Sequence, residues 1–524
     1  MKKRKLPIGG VQTFSTLRNE YDVYIDKTKQ VYEMAWRYRA VFLARPRRFG
    51  KSLLCSTIES LFRGEKELFD GLFISTTDWE WKEYPVICLD LTGEDFANDG
   101  VSALVSLLNN QLDVACENYG ITVEQSELVG SRFARVIREL FKKYGPVVVV
   151  VDEYDSPLLS TIDQPEISAG IREKLRAFFS VTKQCDRYLR FVFVTGVTKF
   201  AKISLFSGFN QPMDISMSTA YCDVCGITHD ELEEYFAQEI NTFAPEHGGR
   251  QAYLEKLRAF YDGYSFTNDF VSVYNTYGIL NHFDSSGEFL PYWSVSGEPS
   301  FARKYLEAKN IDAIDIENAV IDVGDFGSYR DDTITLFPLL YQAGYLTLSS
   351  YNEQTGFYRL NYPNVEVRQS LAKFLANNYS EVASVVRSST SEELVRSLLN
   401  GDMDDFFVLL KTYLSRVDYS LSSKITEYYF EFAVSNIVNM LGLKCKIEVH
   451  TSHGRMDCVI FAKNYIYVFE FKVDKPIETA LRQLKEKNYA QIYNDSGKKL
   501  VEVGVVFSRE TRNIIEWKTR QPRP

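Results

Sequence analysis

A basic segment between an apolar run and a helical pattern most constrains the fold of this chain. Arg45-Pro-Arg-Arg-Phe-Gly-Lys-Ser52 directly follows Val41-Phe-Leu-Ala44. Its last residues, Gly50 to Ser52, fit the end of the pattern G-x-x-x-x-G-K-[ST], in which backbone N–H groups and a helix start face phosphate oxygens. Arg45 stands where that pattern has its first glycine, so the start of the loop must be built without glycine's backbone freedom. A basic turn that caps a helix is the alternative to a phosphate-binding loop.

The phosphate-loop interpretation gives each residue of the segment a role. Lys51 would contact the β- and γ-phosphates of ATP, and Ser52 would bind Mg²⁺. The remaining loop residues that we expect to bind the nucleotide are Arg47, Arg48, Phe49 and Gly50.

A second motif strengthens that interpretation. The valines Val147 to Val151 precede Asp152-Glu153-Tyr154-Asp155. An uninterrupted apolar run of this kind is typical of a strand that is buried on both faces of a parallel sheet, and open α/β sheets bind ligands at the carboxyl ends of their strands. We expect Asp152 to hold Mg²⁺ and Glu153 to act as general base toward the attacking water. A buried strand that ends in an acidic turn is the alternative.

Two further strands and three helical segments complete an alternating β/α series. The strands are predicted over 86–90 and 189–194, and the helices over 101–118, 128–143 and 169–183. This alternation predicts a parallel sheet that is covered on both faces. Thr195 and Thr198, which follow the strand over 189–194, are both candidates for a contact with the γ-phosphate. A hydroxyl that hydrogen-bonds within its own turn remains the alternative for each.

Seven short motifs resemble those of the bacterial AAA-ATPase-like family. They are Tyr24-Ile-Asp-Lys-Thr28, Arg45-Pro-Arg-Arg-Phe-Gly-Lys-Ser52, Asp152-Glu-Tyr-Asp155, Phe206-Ser-Gly-Phe-Asn210, Tyr261-Asp-Gly-Tyr264, Leu340-Tyr-Gln-Ala-Gly-Tyr-Leu346 and Tyr362-Pro-Asn364. The resemblance spans nearly the whole chain, and the Arg-Pro-Arg-Arg start of the loop is typical of the family. It implies an α/β multidomain protein: a P-loop ATPase of the ASCE type with a helical lid, and a C-terminal nuclease-like domain of the PD-(D/E)xK type.

Residues near the C-terminus form a second candidate site on their own chemistry. Asp457 enters a predicted strand over 458–461, and Glu470 and Lys472 lie on the next strand, over 466–473. Glu470 and Lys472 are two residues apart and share one strand face, where Asp457 can meet them across a hairpin. Two carboxylates and a backbone carbonyl offer Mg²⁺ or Mn²⁺ hard oxygen ligands, and Lys472 would orient the nucleophile or neutralise charge. A surface hairpin with alternating charges is the alternative.

The family resemblance adds residues to this second site. In the nuclease fold that it implies, the first helix supplies a carboxylate; Glu427 matches that position best, and Glu431, one turn further on, is the second choice. Gln483, on a helix predicted over 478–493, matches a family position near the site. The alternative, in which Gln483 lies on a solvent-exposed helix face and has no role at the site, is equally compatible with the sequence.

Charge and composition bear on partners and location. The net charge of −10 argues against general polyanion binding, but the region from Ser423 onward is less acidic and carries a weak nucleic-acid footprint. We expect DNA as the nucleic-acid partner, and RNA is the alternative. The sequence also leaves open whether the protein forms a homo-oligomer or binds another protein. There is no apolar run of membrane-spanning length, and the cysteines lie mostly in apolar segments, as in a reduced cytoplasmic protein. Zinc at Cys222-x-x-Cys225 is disfavoured because no second ligand pair follows.

These expectations divide the chain into four parts. They are a P-loop ATPase domain over 1–220, a helical lid over 221–300, a mixed α/β middle region over 301–420 and a restriction-endonuclease-like α/β domain over 421–524. The predicted function is ATP hydrolysis that controls Mg²⁺-dependent cleavage of nucleic acid, in defence or mobile-element processing. A nucleotide-dependent switch whose C-terminal domain binds nucleic acid or protein without cleavage is the alternative. The arginine finger stays open among Arg47, Arg48 and Arg187.

Overall fold

Two compact units make up this chain in the computed structural model. One contains Met1–Ile311 with Asn318–Glu366, and the other contains Asp312–Glu317 with Val367–Pro524. The finer division at residues 220, 300 and 420 stays a prediction. The structure describes residues 4–8, 10–199, 212–293, 301–302, 304–305, 319–322, 336–377, 389–414, 434, 438, 443–451, 454–487 and 489–521.

A five-stranded parallel sheet lies at the centre of the first unit, in the order β2-β3-β4-β1-β5. Its strands are β1 (Ala40–Ala44), β2 (Val86–Asp90), β3 (Val147–Asp152), β4 (Leu189–Gly196) and β5 (Met213–Asp214). Val147 to Val151 are all buried, as expected for a strand that is covered on both faces. The four long strands confirm the predicted sheet, and β4 lies between β1 and β3, which is the strand order of the ASCE class.

Seven α-helices accompany this sheet in the part of the chain that the structure describes. They are α1 (Phe14–Glu20), α2 (Thr28–Arg37), α3 (Lys51–Phe62), α4 (Phe96–Asn118), α5 (Val129–Tyr144), α6 (Ser156–Ser160) and α7 (Pro165–Gln184). The first turn of α4 lies before the predicted start at residue 101. The reason is Gly100, which adopts φ 55° and ψ −128° and joins two helical segments at a kink.

The region between residues 222 and 293 is mainly helical, as predicted. Its helices are His229–Tyr235, Ala237–Phe243, Arg250–Tyr261 and Thr276–Asp284. Two short strands, β6 (Tyr264–Ser265) and β7 (Ser272–Val273), pair with each other between the last two helices. Thr228 and Glu231 form a capping box at the start of the first helix. These helices share one apolar core with Leu6 and Val23, so the N-terminal segment packs into the lid.

The remainder of the first unit contains a helix and a three-stranded antiparallel sheet. The elements are the strand β8 (Val320–Asp322), the helix Leu336–Ala343 and the strands β9 (Thr347–Asn352) and β10 (Phe357–Asn361). The last two strands pair with each other in antiparallel fashion and belong to the region over 301–420 that was expected to be mixed α/β.

The second unit contains a mixed five-stranded sheet in chain order. Its strands are β11 (Lys444–Thr451), β12 (Gly454–Phe461), β13 (Tyr465–Val473), β14 (Lys499–Ser508) and β15 (Asn513–Arg520), and its helices include Ser389–Asn400, Met403–Leu414 and Ile477–Lys487. Only β13 and β14 pair in parallel. The helix predicted over 478–493 ends at Lys487, and residues Tyr489–Ser496 form a 3₁₀ helix. Among the residues that the structure describes, no helix is both long and apolar enough to cross a bilayer.

Candidate functional site

The segment between β1 and α3 forms a tight loop that leads into a helix N-terminus. Gly50 adopts φ 94° as the N-cap residue of α3, and Arg48 also has a left-handed backbone, with φ 70°. An added Cβ on Gly50 would meet no atom within 4 Å, so the glycine serves the backbone conformation and not a close contact. The first N–H groups of α3 are therefore presented at the carboxyl edge of the parallel sheet.

Arg45 explains how the loop begins without a glycine. Its buried guanidinium donates hydrogen bonds to the carbonyl oxygens of Ala44 at 2.9 Å, Ser216 at 2.7 Å and Tyr221 at 3.1 Å. The same group lies 4.2 Å from the centre of the Phe266 ring. The side chain thus fixes the start of the loop to the segment that follows β5, and backbone freedom is not needed there.

Lys51 lies between the loop and the acidic end of β3. Its Nζ is 3.2 Å from the carbonyl oxygen of Pro46 and 3.3 Å from Oε1 of Glu153. The Ser52 hydroxyl is hydrogen-bonded to Asp152, whose Oδ1 also accepts from the Glu153 amide at 2.9 Å. The structure therefore brings together the lysine, the hydroxyl and the two carboxylates that the sequence assigned to phosphate, metal and water.

Burial and mutual repulsion make this carboxylate group unusual. Burial, and then the charge of Glu153, raise the pKa of Asp152 to about 6. The same two causes raise the pKa of Asp155 to about 6, although Val197 and Thr198 donate hydrogen bonds to it. Both pKa shifts mean that the protein surroundings disfavour the ionised form of each carboxyl group. A cation bound nearby favours the ionised form. A hydroxyl beside a carboxylate destabilised in this way fits the hard oxygen ligands that Mg²⁺ prefers.

A cavity of about 370 Å³ opens at this cluster. Its charged lining comes from the loop, from the ends of β2 and β3 and from Lys27, and its apolar lining comes mainly from the N-terminal segment and the lid. The lining residues include Leu17, Val23, Ile25, Arg47, Arg48, Phe49, Gly50, Lys51, Ser52, Asp152, Glu153, Phe236, Tyr277, Leu280 and Asn281. The cavity thus combines charged groups that can bind phosphates with apolar groups that can pack against a nucleotide base.

Three of the predicted loop residues also contact aromatic side chains. The Arg47 guanidinium lies 5.8 Å from the Phe301 ring centre, and that of Arg48 lies 4.8 Å from the Tyr277 ring centre. Phe49 is buried against Tyr264, with ring centres 4.8 Å apart, and its carbonyl accepts a hydrogen bond from Gly226. Phe49 therefore joins the loop to the lid through packing and a backbone contact.

The structure does not bring the hydroxyls of Thr195 or Thr198 to the cavity. The Thr195 hydroxyl donates to the Leu43 carbonyl at 2.8 Å, and the Thr198 hydroxyl donates to Asp155. Both side chains are fully buried. A contact of either residue with a nucleotide stays a prediction. Arg187 lies before the start of β4, at the amino edge of the sheet and away from the loop.

Sequence reasoning missed several residues that line the cavity. Asp90 ends β2 directly opposite Asp152 in the strand register and lines the cavity with Thr92. The available signal was an acidic residue at the carboxyl end of a neighbouring strand. Lys27 lines it too, and its Nζ lies 2.6 Å from Glu231 of the lid.

The second site lies on β12 and β13, whose register pairs Cys458 with Phe469. This pairing places Asp457 beside Glu470 and Lys472, as predicted from the hairpin. Lys472 Nζ is 2.6 Å from Oε1 of Glu470 and 3.9 Å from Oδ2 of Asp457, and Oδ2 also accepts from the Phe471 amide at 2.7 Å. The exposed fractions are 6% for Asp457, 0% for Glu470 and 6% for Lys472. A surface hairpin of alternating charges does not bury three charged groups together.

Residues of the following helix complete the surroundings of this cluster. Burial raises the pKa of Tyr489, whose hydroxyl is hydrogen-bonded to Gln483 and lies within the electrostatic reach of Glu470, Asp457 and Lys472. Gln483 is therefore near the cluster, on its Tyr489 side. Glu427 and Glu431 lie outside the described residues. Among the residues that are described, no group of three or more His, Cys, Asp or Glu side chains is arranged to hold a metal, which leaves Asp457 and Glu470 as a pair.

The strand order of the first sheet and its loop at the end of β1 define a P-loop NTPase domain of the ASCE class. Residues 7–206 match a family model described as a predicted AAA-ATPase, and residues 425–517 match one described as the PD-(D/E)XK nuclease superfamily. The chain is also 35% identical over 533 residues, covering 98% of each sequence, to an "Uncharacterized protein in vnfD 5'region" of Azotobacter chroococcum mcd 1. The chain belongs to this family of predicted AAA-ATPases and carries a C-terminal PD-(D/E)XK nuclease superfamily domain.

One solved structure, of the Aeropyrum pernix ORC2 protein in ADPNP–ADP complexes, is similar at 11% identity. The match covers 84% of this chain and 92% of that chain, with a TM-score of 0.30. A TM-score of this size is too low to support any conclusion about this chain.

Proposed function

We propose that this protein hydrolyses ATP in the cavity of the first unit and cleaves nucleic acid at the Asp457 cluster of the second. The observation that carries the proposal is the burial of Asp457, Glu470 and Lys472 in one cluster. Removing three charged groups from water is costly, and the contacts of Lys472 with the two carboxylates offset only part of that cost. Such a cost is a feature of catalytic sites more often than of structural hairpins.

At the ATP site, the chain's own groups account for binding and activation. Lys51 would bind the β- and γ-phosphate oxygens, the backbone N–H groups from Arg47 to Gly50 would surround them, and Ser52 and Asp152 would hold Mg²⁺. When bound, Mg²⁺ neutralises charge that develops on the phosphates. Glu153 accepts the proton of the attacking water. Its backbone conformation, with φ 48°, fixes the direction of that carboxylate beside Lys51.

At the second site, Asp457 and Glu470 would hold Mg²⁺ or Mn²⁺, together with Glu427 from outside the described residues. When bound, the metal lowers the pKa of a water and stabilises negative charge on the phosphate. Lys472 orients the nucleophile or neutralises that charge, and its 2.6 Å contact with Glu470 keeps the ammonium at the cluster. Tyr489 and the neighbouring Gln483 add polar groups beside the cluster, and the Tyr489 hydroxyl lies within the electrostatic reach of Glu470, Asp457 and Lys472.

DNA is the proposed substrate, with RNA as the second candidate. Basic residues follow the catalytic strand and lie on the next helix, and they supply phosphate contacts despite the acidic chain. They are Lys475, Arg482, Lys485 and Lys487. A protein that combines the two activities fits defence against foreign DNA or the processing of mobile DNA, with nucleotide state as the control.

The test is cleavage of single- and double-stranded DNA and RNA with Mg²⁺ or Mn²⁺. Each substrate is incubated without nucleotide, with ADP, with ATP and with a non-hydrolysable ATP analogue, beside Asp457→Asn as the control for contamination. We expect metal-dependent cleavage by the parent protein alone, at a rate that changes with the nucleotide. Equal cleavage rates in all four nucleotide conditions would show that the nucleotide state does not control cleavage. Absence of cleavage with intact ATP hydrolysis would favour a switch that binds nucleic acid or protein without cutting.

A further inference from the structure

The motif Leu340-Tyr-Gln-Ala-Gly-Tyr-Leu346 lies outside residues 7–206, which match the family model of the ATPase domain, but it contacts the ATP site from two directions. It forms the end of the helix Leu336–Ala343 and the turn that follows. Gln342 and Gly344 make the two contacts, and each reaches a different part of the site.

The contact of Gln342 is with the segment after β4. Its Oε1 accepts a hydrogen bond from the Lys199 backbone N–H at 3.0 Å, and both residues are buried. The preceding residue, Thr198, donates its own backbone N–H to Asp155 at 2.6 Å, and its carbonyl accepts from the Tyr154 hydroxyl at 2.8 Å. Asp155 and Tyr154 directly follow Glu153, so Gln342 fixes the segment to which the residues after Glu153 are hydrogen-bonded.

The contact of Gly344 is with the phosphate loop. Gly344 adopts φ 91°, and a Cβ added there would lie 2.9 Å from the Pro46 Cβ. The Pro46 carbonyl in turn accepts the hydrogen bond from Lys51 Nζ at 3.2 Å. Only a residue without a side chain allows the turn to approach the loop this closely.

We propose that Gln342 and Gly344 are positioning residues for ATP hydrolysis, an inference that rests on the proposed function of the first site. Together they close a ring of contacts that begins at Lys51 and runs through Pro46, Gly344 and Gln342 to Lys199. From there Thr198 and Asp155 lead to Glu153, which lies 3.3 Å from Lys51. The ring fixes the distance between the phosphate-binding ammonium and the general base from outside the P-loop domain itself.

The first test replaces Gln342. Gln342→Met keeps the size of the side chain and removes the acceptor for the Lys199 amide, whereas Gln342→Glu keeps an acceptor oxygen. Because small misplacements of catalytic groups reduce rates by up to about 100-fold, we expect Gln342→Met to lower kcat for ATP hydrolysis by about 10-fold or more. KM for ATP and Kd for ADP should change less than about twofold, since the phosphate loop is not altered, and Gln342→Glu should recover most of kcat.

The second test replaces Gly344, with Gly356 as the matched control. Gly344→Ala forces the added Cβ against Pro46, whereas Gly356 has a similar φ of 74° and no atom within 4 Å of its added Cβ. The two variants therefore share the backbone strain and differ in the contact. We expect Gly344→Ala to weaken ADP and ATP binding by about 10-fold, because the Pro46 carbonyl orients Lys51, and Gly356→Ala to bind as the parent does.

The outcomes separate this inference from the proposed function. If the parent protein neither binds nor hydrolyses ATP, the proposed function fails. If the parent hydrolyses ATP, two results together would overturn the proposed ring of contacts. They are a parental kcat in Gln342→Met and an equal nucleotide affinity in Gly344→Ala and Gly356→Ala. A thermal midpoint for Gln342→Met equal to that of Gln342→Glu, with kcat lowered only in the methionine variant, supports positioning and not a general loss of folding.

Discussion

The Lys51 ammonium lies 3.3 Å from the Glu153 carboxylate, and both groups face one cavity. The residue expected to bind phosphate and the residue expected to activate water therefore contact each other. Glu153 makes this contact from a left-handed backbone conformation, with φ 48°, which costs a non-glycine residue about 1–3 kcal/mol. A phosphate group that binds Lys51 competes with Glu153 for the ammonium, so nucleotide binding would free the carboxylate to act as a base.

Replacement of Glu153 by glutamine should separate binding from hydrolysis. Glu153→Gln cannot accept the proton of the attacking water, so we expect kcat to fall by about 100-fold or more. It also removes the charge that competes for Lys51, so the affinity for ATP and ADP should be equal to or higher than that of the parent. Single-turnover hydrolysis and titration calorimetry measure the two effects.

Two further variants test this assignment of roles. Glu173→Gln alters an exposed carboxylate of α7 and should leave both quantities unchanged. Lys51→Ala removes the phosphate contact and should abolish tight binding. Parental hydrolysis by Glu153→Gln would show that another group is the base.

Arg45 permits a test that runs against the sequence motif. Arg45→Gly restores the first glycine of G-x-x-x-x-G-K-S, yet it removes a buried guanidinium that donates to three carbonyl oxygens. Because hydrogen bonds from charged groups contribute about 1.5–3 kcal/mol each and unpaired buried carbonyls add a further cost, we expect a loss of at least roughly 3 kcal/mol. Denaturant unfolding measures this loss of stability. The control is Arg187→Gly, which replaces an exposed arginine whose guanidinium lies 4.6 Å from the Tyr188 ring centre. A more stable Arg45→Gly protein would contradict the structural role.

Local patterns in the sequence predicted the parts of the fold that depend on one strand or one hairpin. The valine run, the loop from Arg45 to Ser52 and the spacing of Glu470 and Lys472 each specify a local geometry, and the structure shows that geometry. The strands β14 and β15 were not predicted, although Val503 to Phe507 is an apolar run. The two-residue strand β5 is too short to produce a periodic pattern.

Long-range contacts explain why other parts of the site could not be predicted. The buried guanidinium of Arg45 finds its acceptors more than 170 residues away, at Ser216 and Tyr221. Gly263 approaches the Pro363 carbonyl so closely that a Cβ would lie 2.0 Å from it, and Asn364 donates to the Asp262 carbonyl at 2.8 Å. These contacts join the motifs Tyr261-Asp-Gly-Tyr264 and Tyr362-Pro-Asn364, and spacing along one sequence contains no signal for them.

His282 gives a prediction about pH. Burial lowers its pKa to about 4, and its ring is hydrogen-bonded to the Tyr253 hydroxyl at 2.6 Å and the Glu288 carbonyl at 2.9 Å. The nearby charges of His247 and Lys256 act in the same direction. Because the folded pKa lies below the unfolded one, the stabilisation from this group is present above pH 6.5 and is lost as the pH falls toward about 4. A shift of this size corresponds to about 3 kcal/mol.

Proton NMR of the histidine rings tests this value, because the His282 signal is expected to stay constant from pH 8 to about 5. His282→Gln assigns the signal and removes the titrating group. We expect the thermal midpoint of that variant to fall less between pH 7 and about 4.5 than the midpoint of the parent. A His282 signal that titrates near its ordinary pKa would show that the ring is accessible to protons in the folded lid.

The Asp457 cluster gives the most direct test of chemistry in the second unit. Asp457→Asn and Glu470→Gln each remove an anionic oxygen, so both should lose metal-dependent cleavage and Mn²⁺ affinity. Lys472→Ala should lose cleavage and keep much of the Mn²⁺ affinity, because an ammonium is not a metal ligand. Mn²⁺ binding followed by calorimetry and cleavage followed on gels separate the two effects.

The control for these variants is Asp474→Asn, which alters an exposed aspartate at the end of the same strand. Asp474 adopts φ 52°, a conformation that asparagine tolerates, and its carboxylate is 3.7 Å from Arg509. This variant should cleave and bind Mn²⁺ as the parent does. ATP hydrolysis should survive all four changes, because the residues of the ATP site belong to the other compact unit. Loss of ATP hydrolysis in Asp457→Asn alone would show that the second site acts on the first, and cleavage by Asp457→Asn at the parental rate would assign the activity to different residues.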